Sequence, residues 1–268
     1  MKKVILLTGC LACNTFSAFA NSESNGPDDY GFYLGGDFTA TIWEFDQDNN
    51  ININYVDQIP LSDLSHKTTT SFNVDNNVTD YSVEVRGGGY LRWDENDDWL
   101  SAIEIFAAPH DASFSDQTVL DTFGRSIGDT NNINFTQSTK AQYSFGADFK
   151  QGLFFDEDEW LVFAKAGIIF THFETVTNAW ANNDSTFPIS TAYDKFYLTG
   201  VRFGAGLERF FGENISFTLQ ALYALYEDEN STISGSQGKN DGFLITVTDE
   251  FTFNPSGLQI GAGVNFYF

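Results

Sequence analysis

Histidine side chains are the first candidates for acid–base chemistry in this sequence, which contains three of them, His66, His110 and His172. His110 draws attention because Asp111 follows it directly and Ser113 comes shortly after. A serine activated by a histidine that a carboxylate orients is a common nucleophile of acyl transfer. Neighbouring residues of an extended chain face apart, however, so this spacing does not favour a contact between His110 and Ser113. We therefore predict no catalytic residues.

Cysteine chemistry is also excluded from the exported part of the chain. Both cysteines, Cys10 and Cys13, fall in an N-terminal segment where two lysines precede an apolar run and Ala18-Phe19-Ala20 gives an A-x-A cleavage pattern. These features are typical of a secretory signal peptide, which we place at residues 1–20. A lipoprotein processing box ending at Cys10 is the alternative, but the apolar stretch before it is short. We expect a mature chain without disulfide, bound metal or cofactor.

The charge of the sequence excludes one class of partner. The chain has 13 basic and 37 acidic residues, a formal net charge of −24. Loss of Lys2 and Lys3 with the signal peptide makes the mature charge −26. Nucleic acid is therefore not expected as a partner, because its phosphates would be repelled. The mature sequence has no long apolar run that could form a membrane-spanning helix, whereas aromatic and β-branched residues are frequent. We predict an all-β protein.

Eight segments alternate between apolar residues and small or polar ones, as strands with two unlike faces do. The connections between them are alternately long and polar or short and acidic. The segments cover residues 30–45, 81–93, 99–108, 140–155, 160–175, 196–211, 215–226 and 257–268. This layout predicts an eight-stranded antiparallel up-and-down transmembrane β-barrel with short periplasmic turns and four long outer loops. A soluble β-sandwich would explain the alternation, but not the one-sided loop lengths, the signal peptide and the aromatic C-terminus together.

The C-terminal segment carries a family resemblance. Apolar residues occupy every second position back from the final phenylalanine, and Ile260, Val264, Phe266 and Phe268 are among them. This pattern resembles the closing strand of bacterial outer-membrane barrels, where it is also the signal read by the barrel assembly machinery. Phrases such as Ala164-Lys165-Ala166-Gly167 and Gly204-Ala205-Gly206-Leu207-Glu208 resemble strands of the small OmpA-type and opacity-protein barrels. No peptidoglycan-binding domain follows the last strand, so we expect no wall-anchoring role.

The resemblance implies a location and a domain layout. It implies a barrel domain at residues 30–268, preceded by a short periplasmic segment at 21–29, in the outer membrane of a Gram-negative bacterium. Outer-membrane lipid, lipopolysaccharide and the assembly machinery are then the expected partners. Aromatic side chains near both ends of the strands are expected to form interfacial girdles. The tryptophans assigned to them are Trp43, Trp93, Trp99 and Trp160.

Charged residues on the other face of the strands predict the content of the barrel. Eight strands enclose a space that side chains alone can fill. A charge buried there without a partner would cost several kcal/mol, so we predict paired charges that plug the lumen. The residues assigned to this network are Asp37, Glu84, Arg86, Glu104, Asp148, Lys150, Lys165, Arg202 and Glu208. Among the inward charges, Arg92 and Glu208 are expected near the rims, in contact with water.

Three functions are compatible with this sequence. We favour a structural or adhesin-like binding role, in which four long acidic loops on a rigid barrel engage a host or surface ligand. A narrow channel for ions or small solutes is the second possibility, and a lipid-modifying enzyme is the third. Acidic residues such as Asp46, Asp48, Asp249 and Glu250 fall in or near the loops. They either keep the loops solvated or bind divalent cations that bridge to lipopolysaccharide.

Overall fold

The computed structural model describes residues 27–57, 65–93, 98–123, 130–155, 159–181, 188–239 and 243–268. The expected signal peptide, most of the 21–29 segment and the tips of the four outer connections lie outside these residues. Almost all described residues belong to antiparallel strands, and no helix among them is long and apolar enough to cross a membrane. The strands are β1 (Tyr30–Asp57), β2 (Ser65–Trp93), β3 (Trp99–Pro109), β4 (Ser113–Phe123), β5 (Thr130–Phe155), β6 (Trp160–Ala181), β7 (Pro188–Phe210), β8 (Ile215–Tyr226), β9 (Glu229–Lys239) and β10 (Phe243–Tyr267).

Eight of these strands close into a ring in the order β1-β2-β3-β5-β6-β7-β8-β10. The ring closes because β10 pairs antiparallel with β1, in a register that runs from Tyr33↔Tyr267 to Asp57↔Phe243. Closure gives the strands of the ring a partner on each side, as a barrel in lipid requires. The predicted eight-stranded up-and-down barrel is confirmed.

The polar connections predicted as long loops are mostly strand. β1 continues to Asp57 and pairs with β2 as far as Val56↔Ser65. At about 3.4 Å per residue, the part of β1 beyond Ile42 alone adds roughly 50 Å of strand. β4 continues the line of β3 along β5, and β9 continues the line of β8 along β10. We call the region beyond the ring the outer extension.

The outer extension consists of two separate four-stranded sheets. The β2–β3 ladder ends at Val85↔Ala107, and the β7–β8 ladder ends at Gly200↔Tyr226. Beyond these pairs, the described residues form one sheet in the order β2-β1-β10-β9 and another in the order β4-β5-β6-β7. Strand β4 comes close to β2, and β9 comes close to β7, without a ladder between them in the described part of the chain. We call these two gaps the seams.

The outer wall of the ring is apolar and exposed. Large apolar side chains such as Phe38, Ile103 and Val201 are 61%, 67% and 52% exposed. An apolar surface of this extent surrounding a closed barrel matches the lipid-facing band of a membrane-spanning barrel. The band continues around the ring through residues 30–42, 81–93, 99–105, 143–155, 160–170, 199–211, 215–225 and 258–268.

Aromatic residues mark the periplasmic rim of this band. Trp93 stacks on Trp99 with 6.2 Å between the ring centroids, and its indole donates a hydrogen bond to Ser101. Trp160 stacks on Phe155 at the same rim. Trp43 does not belong to a girdle, because its side chain is 1% exposed and lies inside the barrel. Strand alternation explains this, since Trp43 has the same parity as the inward-facing Asp37, Thr39 and Thr41.

Candidate functional site: the barrel lumen

A layer of paired charges fills the middle of the lumen, with Arg202 at its centre. The guanidinium Nη1 of Arg202 is 2.8 Å from Glu84 Oε2, and its Nε is 3.0 Å from both carboxylate oxygens of Asp148. The ring of Phe106 packs against the same guanidinium, with its centroid 3.1 Å from Cζ. Arg202 therefore ties β7 to β2 and β5 through one planar, multidentate contact.

The other three cations of the layer each contact one carboxylate. Lys150 Nζ is 2.5 Å from Glu208 Oε2, and the side chains of both residues are at most 2% exposed. The remaining ion pairs are Arg86 with Asp37 and Lys165 with Glu104. The structure thus places all nine residues of the expected network inside the lumen. They carry five carboxylates and four cations, so the layer is close to electrically neutral.

Glu208 is completely buried, contrary to the expectation that it would meet water at the rim. Besides Lys150, it accepts hydrogen bonds from Asn265 Nδ2 at 2.6 Å and from Tyr267 Oη at 2.7 Å, and one from Ser216. Burial occurs because aromatic rings close the lumen on the periplasmic side of this carboxylate. A carboxylate with this many donors remains stable in its charged form without water.

Neutral side chains complete the layer. They were not among the residues predicted for the network, which were all charged. Gln220 Nε2 donates to Asp37 at 2.7 Å, Gln259 Nε2 donates to Glu84 at 3.2 Å, and Tyr33 Oη donates to Glu104. Their inward parity on β1, β8 and β10 was the available signal. They use up carboxylate lone pairs that the cations leave free, so the polar network is more fully connected than the ion pairs alone suggest.

Two glycines on inward positions make room for the charged side chains. A Cβ at Gly263 would collide with the Asp37 carboxylate and with the backbone oxygen of Gly36. A Cβ at Gly167 would collide with Asp148 in the same way. The small residues that alternate with apolar ones in these strands are therefore part of the charge layer, because they provide its space.

Aromatic rings seal the charge layer on its periplasmic side. Tyr33 stacks on Tyr267 with a centroid separation of 5.2 Å, and Phe210 packs against Tyr267 at 5.3 Å. Arg92, the second charge expected at the rim, is 8% exposed; it lies 4.5 Å from the ring centroid of Phe154 and donates to the Pro27 carbonyl. The full buried cluster comprises Tyr33, Tyr90, Leu100, Ala102, Phe154, Leu161, Phe163, Phe210 and Tyr267.

A second aromatic cluster seals the charge layer on its outer side. Trp43 stacks on Phe45 with 5.8 Å between ring centroids, and Phe45 stacks on Phe114 at 4.7 Å. Phe173 and Phe253 join them from the facing sheets, with their own centroids 5.2 Å apart. The described lumen therefore consists of charged residues held between two layers of close-packed rings.

The structure gives His110 partners other than those the sequence suggested. Its Nδ1 is 2.9 Å from Asp80 Oδ2, and its Nε2 is 2.9 Å from Ser144 Oγ. Ser113 instead lies on an outward-facing, exposed position, and Asp111 pairs with Lys140. Asp80, His110 and Ser144 come from β2, the end of β3 and β5, so their separation in sequence concealed this arrangement. They lie at the outer end of the β2–β3 ladder, where the seam between β2 and β4 begins.

The other two histidines do not join this group. The ring of His172 stacks on Tyr143 and packs at a tilt against Tyr197, with centroid separations of 5.1 and 4.8 Å. The side chain of His66 lies outside the described part of the chain. Within the described residues, no cluster of three or more histidine, aspartate or glutamate side chains has the arrangement of a metal site.

A buried polar layer lies beyond the outer aromatic cluster, between the two sheets of the extension. Gln47 and Asn49 enter it from β1, Gln137 from β5 and Asp249 from β10, and each is at most 2% exposed. Burial, with a smaller contribution from Glu250, raises the pKa of Asp249 to about 7. Asp249 was expected in or near a loop, and it is buried because this part of β10 belongs to a sheet that faces another sheet.

The residues assigned to the C-terminal assembly signal all face outward. Ile260, Val264, Phe266 and Phe268 are 50%, 37%, 40% and 59% exposed, and they lie in the apolar band of β10 and the residue that follows it. The backbones of Phe268 and Phe32 exchange two hydrogen bonds, of 2.8 and 3.1 Å. The last residue of the chain therefore takes part in closing the ring.

Known proteins include barrels of similar fold, but no family to which this sequence can be assigned. No protein-family model matches the sequence, and no curated protein does. The structure is similar to the outer membrane protease OmpT from Escherichia coli, with a TM-score of 0.47 and 7% identity over 90% of this chain and 97% of that one. It is also similar to outer membrane protein OprG from Pseudomonas aeruginosa, with a TM-score of 0.46 and 14% identity over 92% and 99% of the two chains. Neisserial surface protein A follows, with a TM-score of 0.34 and 11% identity over 84% and 97%.

Proposed function

We propose that this protein is a sealed outer-membrane barrel whose task is to hold a rigid binding platform outside the membrane. The observation that carries this proposal is the filled lumen, in which paired charges lie between two aromatic layers. A pore needs a continuous wet path, and the paired charges and packed rings of the described interior argue against one. The outer extension, by contrast, is large and built of paired strands, so it can present a fixed surface to a partner.

The platform has a groove on the outward face of the β2-β1-β10-β9 sheet. The groove has a volume of about 820 Å³, and Asp48, Asn73, Asn230 and Glu250 are among the residues that line it. Asn73 donates hydrogen bonds to Asp46 at 3.0 Å and to Asp48 at 2.9 Å, so the surface side chains are ordered around the acidic groups. With a net charge of −24 on the whole chain, this surface favours a positively charged ligand.

The same proposal includes the cellular setting. We infer that residues 1–20 are removed on export and that the barrel resides in the outer membrane of a Gram-negative bacterium, surrounded by lipid and lipopolysaccharide. The support is the apolar band together with the outward-facing Phe266 and Phe268, which the barrel assembly machinery would read. Mass spectrometry of the protein from outer-membrane fractions tests this, and an N-terminus other than Asn21 would contradict the cleavage site.

Conductance of the refolded protein in a planar bilayer tests the sealed lumen. We expect no steady current in salt solution. An open general porin reconstituted in the same bilayers is the control for the sensitivity of the recording. Steady current through the unmodified protein would overturn the sealed-barrel proposal.

Binding to a polylysine surface tests the platform. Neutralising its acidic face with Asp46→Asn, Asp48→Asn and Glu250→Gln should weaken binding about tenfold. Asp48 and Glu250 line the groove, and Asp46 shares the Asn73 side chain with Asp48. The control removes three carboxylates at the opposite end of the barrel, with Asp28→Asn, Asp29→Asn and Glu159→Gln, and should bind nearly as well as the unmodified protein. Equal losses in both triple variants would show that net charge, rather than the groove, governs binding.

A second candidate function is acyl transfer at Ser144, which the Asp80–His110–Ser144 contacts favour. Both hydrogen bonds of this chain are 2.9 Å long, the geometry in which a histidine can take the serine proton. Ser144 is 2% exposed and also contacts Thr171 Oγ1 at 2.7 Å, so a substrate would need the outer aromatic layer to open. This function therefore ranks second. Labelling of Ser144 by a fluorophosphonate, lost in His110→Ala, would support it, whereas an unlabelled protein would exclude it.

A further inference from the structure

The polar layer between the two sheets of the outer extension contains an uncompensated carboxylate. Asp249 is 0% exposed. Among the described residues, no lysine, arginine or histidine forms an ion pair with it. A buried carboxylate without a counter-charge costs several kcal/mol, so the folded extension needs something that neutralises it.

The neighbours of Asp249 are amides arranged in a chain across the layer. Gln137 Nε2 donates to Asp249 Oδ2 at 3.2 Å, and Gln47 Nε2 donates to Gln137 Oε1 at 2.6 Å and to Asn49 Oδ1 at 2.8 Å. The chain links β10 and β1 of one sheet to β5 of the other. Its side chains supply carboxylate and amide oxygens, which are the ligands that hard cations take.

Several polar atoms of this layer have no partner although they are buried. They are Asp249 Oδ1, Gln47 Oε1 and Asn49 Nδ2. Buried polar atoms in proteins are normally satisfied, and an unsatisfied group needs an explanation such as an ordered water or an ion. Two of the three are acceptor oxygens, and an amide can turn by half a rotation to present its oxygen where its nitrogen now lies. The orphaned atoms therefore point to a bound cation.

We propose that Asp249, Gln47, Gln137 and Asn49 hold one divalent cation of the calcium class between the two outer sheets. Calcium tolerates irregular sets of carboxylate and neutral oxygen ligands, whereas magnesium requires a near-ideal octahedron and gives up its water reluctantly. A site with a single carboxylate corresponds to the weak extracellular range, with a dissociation constant of about 10⁻⁴–10⁻³ M. The bound ion joins β1 and β10 to β5 across a gap where the described residues of the two sheets share no ladder.

This site goes beyond the proposed platform and differs from cation binding on its outer surface. The acidic groups of the groove face outward, whereas Asp249 faces the interior between the sheets. The adjacent residue, Glu250, is exposed and points to the opposite side of the same strand. The pair Asp249 and Glu250 therefore offers a matched comparison between an interior ligand and a surface charge.

Thermal unfolding of the full chain, refolded in detergent and stripped with chelator at pH 8, tests the proposal. Calcium chloride at 0.1–10 mM should raise the unfolding temperature by roughly 2–5 °C with saturation, beyond the effect of sodium chloride at equal ionic strength. Calorimetric titration should give one site per chain. Glu250→Gln should keep the response, and Asp249→Asn should lose it.

A gain-of-function variant keeps the test independent of how well Asp249→Asn folds. Gln137→Glu adds a second carboxylate to the site and should tighten calcium binding about tenfold or more, because affinity follows the number of charged ligands. A response to calcium that persists in Asp249→Asn would overturn the proposal, as would an effect equalled by sodium chloride. Stabilisation of the unmodified protein by acid but not by calcium would show that a proton neutralises Asp249 instead.

Discussion

At the scale of single residues, Arg202 illustrates how the lumen tolerates so many charges. Its guanidinium faces Glu84 and Asp148, and its flat surface rests on Phe106. Each partner is buried, so neither carboxylate can recover hydration if the arginine is lost. A pair of this kind contributes little relative to apolar residues of the same shape, but breaking it leaves a charge without compensation.

Arg202→Ala should therefore destabilise the barrel severely. We expect a loss of about 3–5 kcal/mol, because two buried carboxylates are left facing each other. Urea unfolding in detergent, followed by tryptophan fluorescence, measures it. Arg209→Ala is the control, since Arg209 lies at the rim, 3.8 Å from Glu159 with both side chains partly exposed, and should cost less than about 1 kcal/mol. Similar losses in both variants would argue against an energetically coupled charge layer.

Glycine at position 263 should also prove sensitive. Gly263→Ala places a methyl group against the Asp37 carboxylate and the opposing strand, and we expect a loss of about 1–3 kcal/mol from overpacking. Gly36→Ala provides the control, because the nearest atom to its added Cβ would be a carbonyl oxygen at an ordinary 3.6 Å. The measurement is the midpoint of urea unfolding. A tolerated Gly263→Ala would mean that Asp37 can move without loss of its pairing.

Asp249 should make the stability of the apo protein depend on pH. Its pKa is raised from 3.8 to about 7, so the folded protein keeps a proton that the unfolded chain releases. The stability contributed by this proton is fully present below about pH 4 and is lost as the pH rises to about 7. In chelator, the free energy of unfolding of the unmodified protein should therefore fall relative to that of Asp249→Asn as the pH rises from 5 to 8. A constant difference would mean that Asp249 is not desolvated.

At the scale of strands, the alternation of the sequence predicts which side chains face inward wherever the outside is lipid. In β1, Phe38 and Ile42 face outward and Asp37 and Thr41 face inward, and the pattern shows this directly. Beyond the membrane the outside is water, so both faces of β1 become polar. Gln47 and Asn49 inside then look no different in sequence from Asp46 and Asp48 outside. This is why the extended hairpins were predicted as loops.

The contrast between the two faces of a strand also explains which residues of the lumen could be predicted from the sequence. The charged residues stand out on inward positions because nothing but pairing would keep them there. Their neutral partners, such as Asn265 and Gln220, do not stand out, since a polar residue on that face is unremarkable. The contact between His110 and Ser144 depends on how three strands meet at the start of a seam. No local spacing in the sequence predicts that geometry.

Hydrogen exchange should reveal the seams. The outer half of β1 has a paired strand on each side, so its amides should exchange slowly. In the described part of the chain, β4 pairs with β5 alone and β9 with β10 alone, so roughly half of their amides should exchange much faster. Mass spectrometry of the refolded protein measures both. Uniform protection of β4 and β1 would indicate that the outer sheets join into one cylinder.

At the scale of the whole molecule, two regions with different surroundings are stacked along one axis. The lower part is a barrel closed by β1 and β10, with an apolar wall for lipid and an interior of paired charges. The upper part has a polar wall for water and an interior of aromatic and amide groups. The charge of the protein is therefore divided by location: carboxylates inside the ring meet cations, whereas carboxylates of the extension largely face solvent.

The strand order of the two outer sheets has a consequence for assembly. One sheet, β4 to β7, is contiguous in the chain and needs only local hairpins to form. The other combines β1 and β2 with β9 and β10, from the two ends of the sequence, so it can form only once the termini have met. A partner that recognises this second sheet would therefore distinguish finished molecules from intermediates still open at the β1–β10 junction.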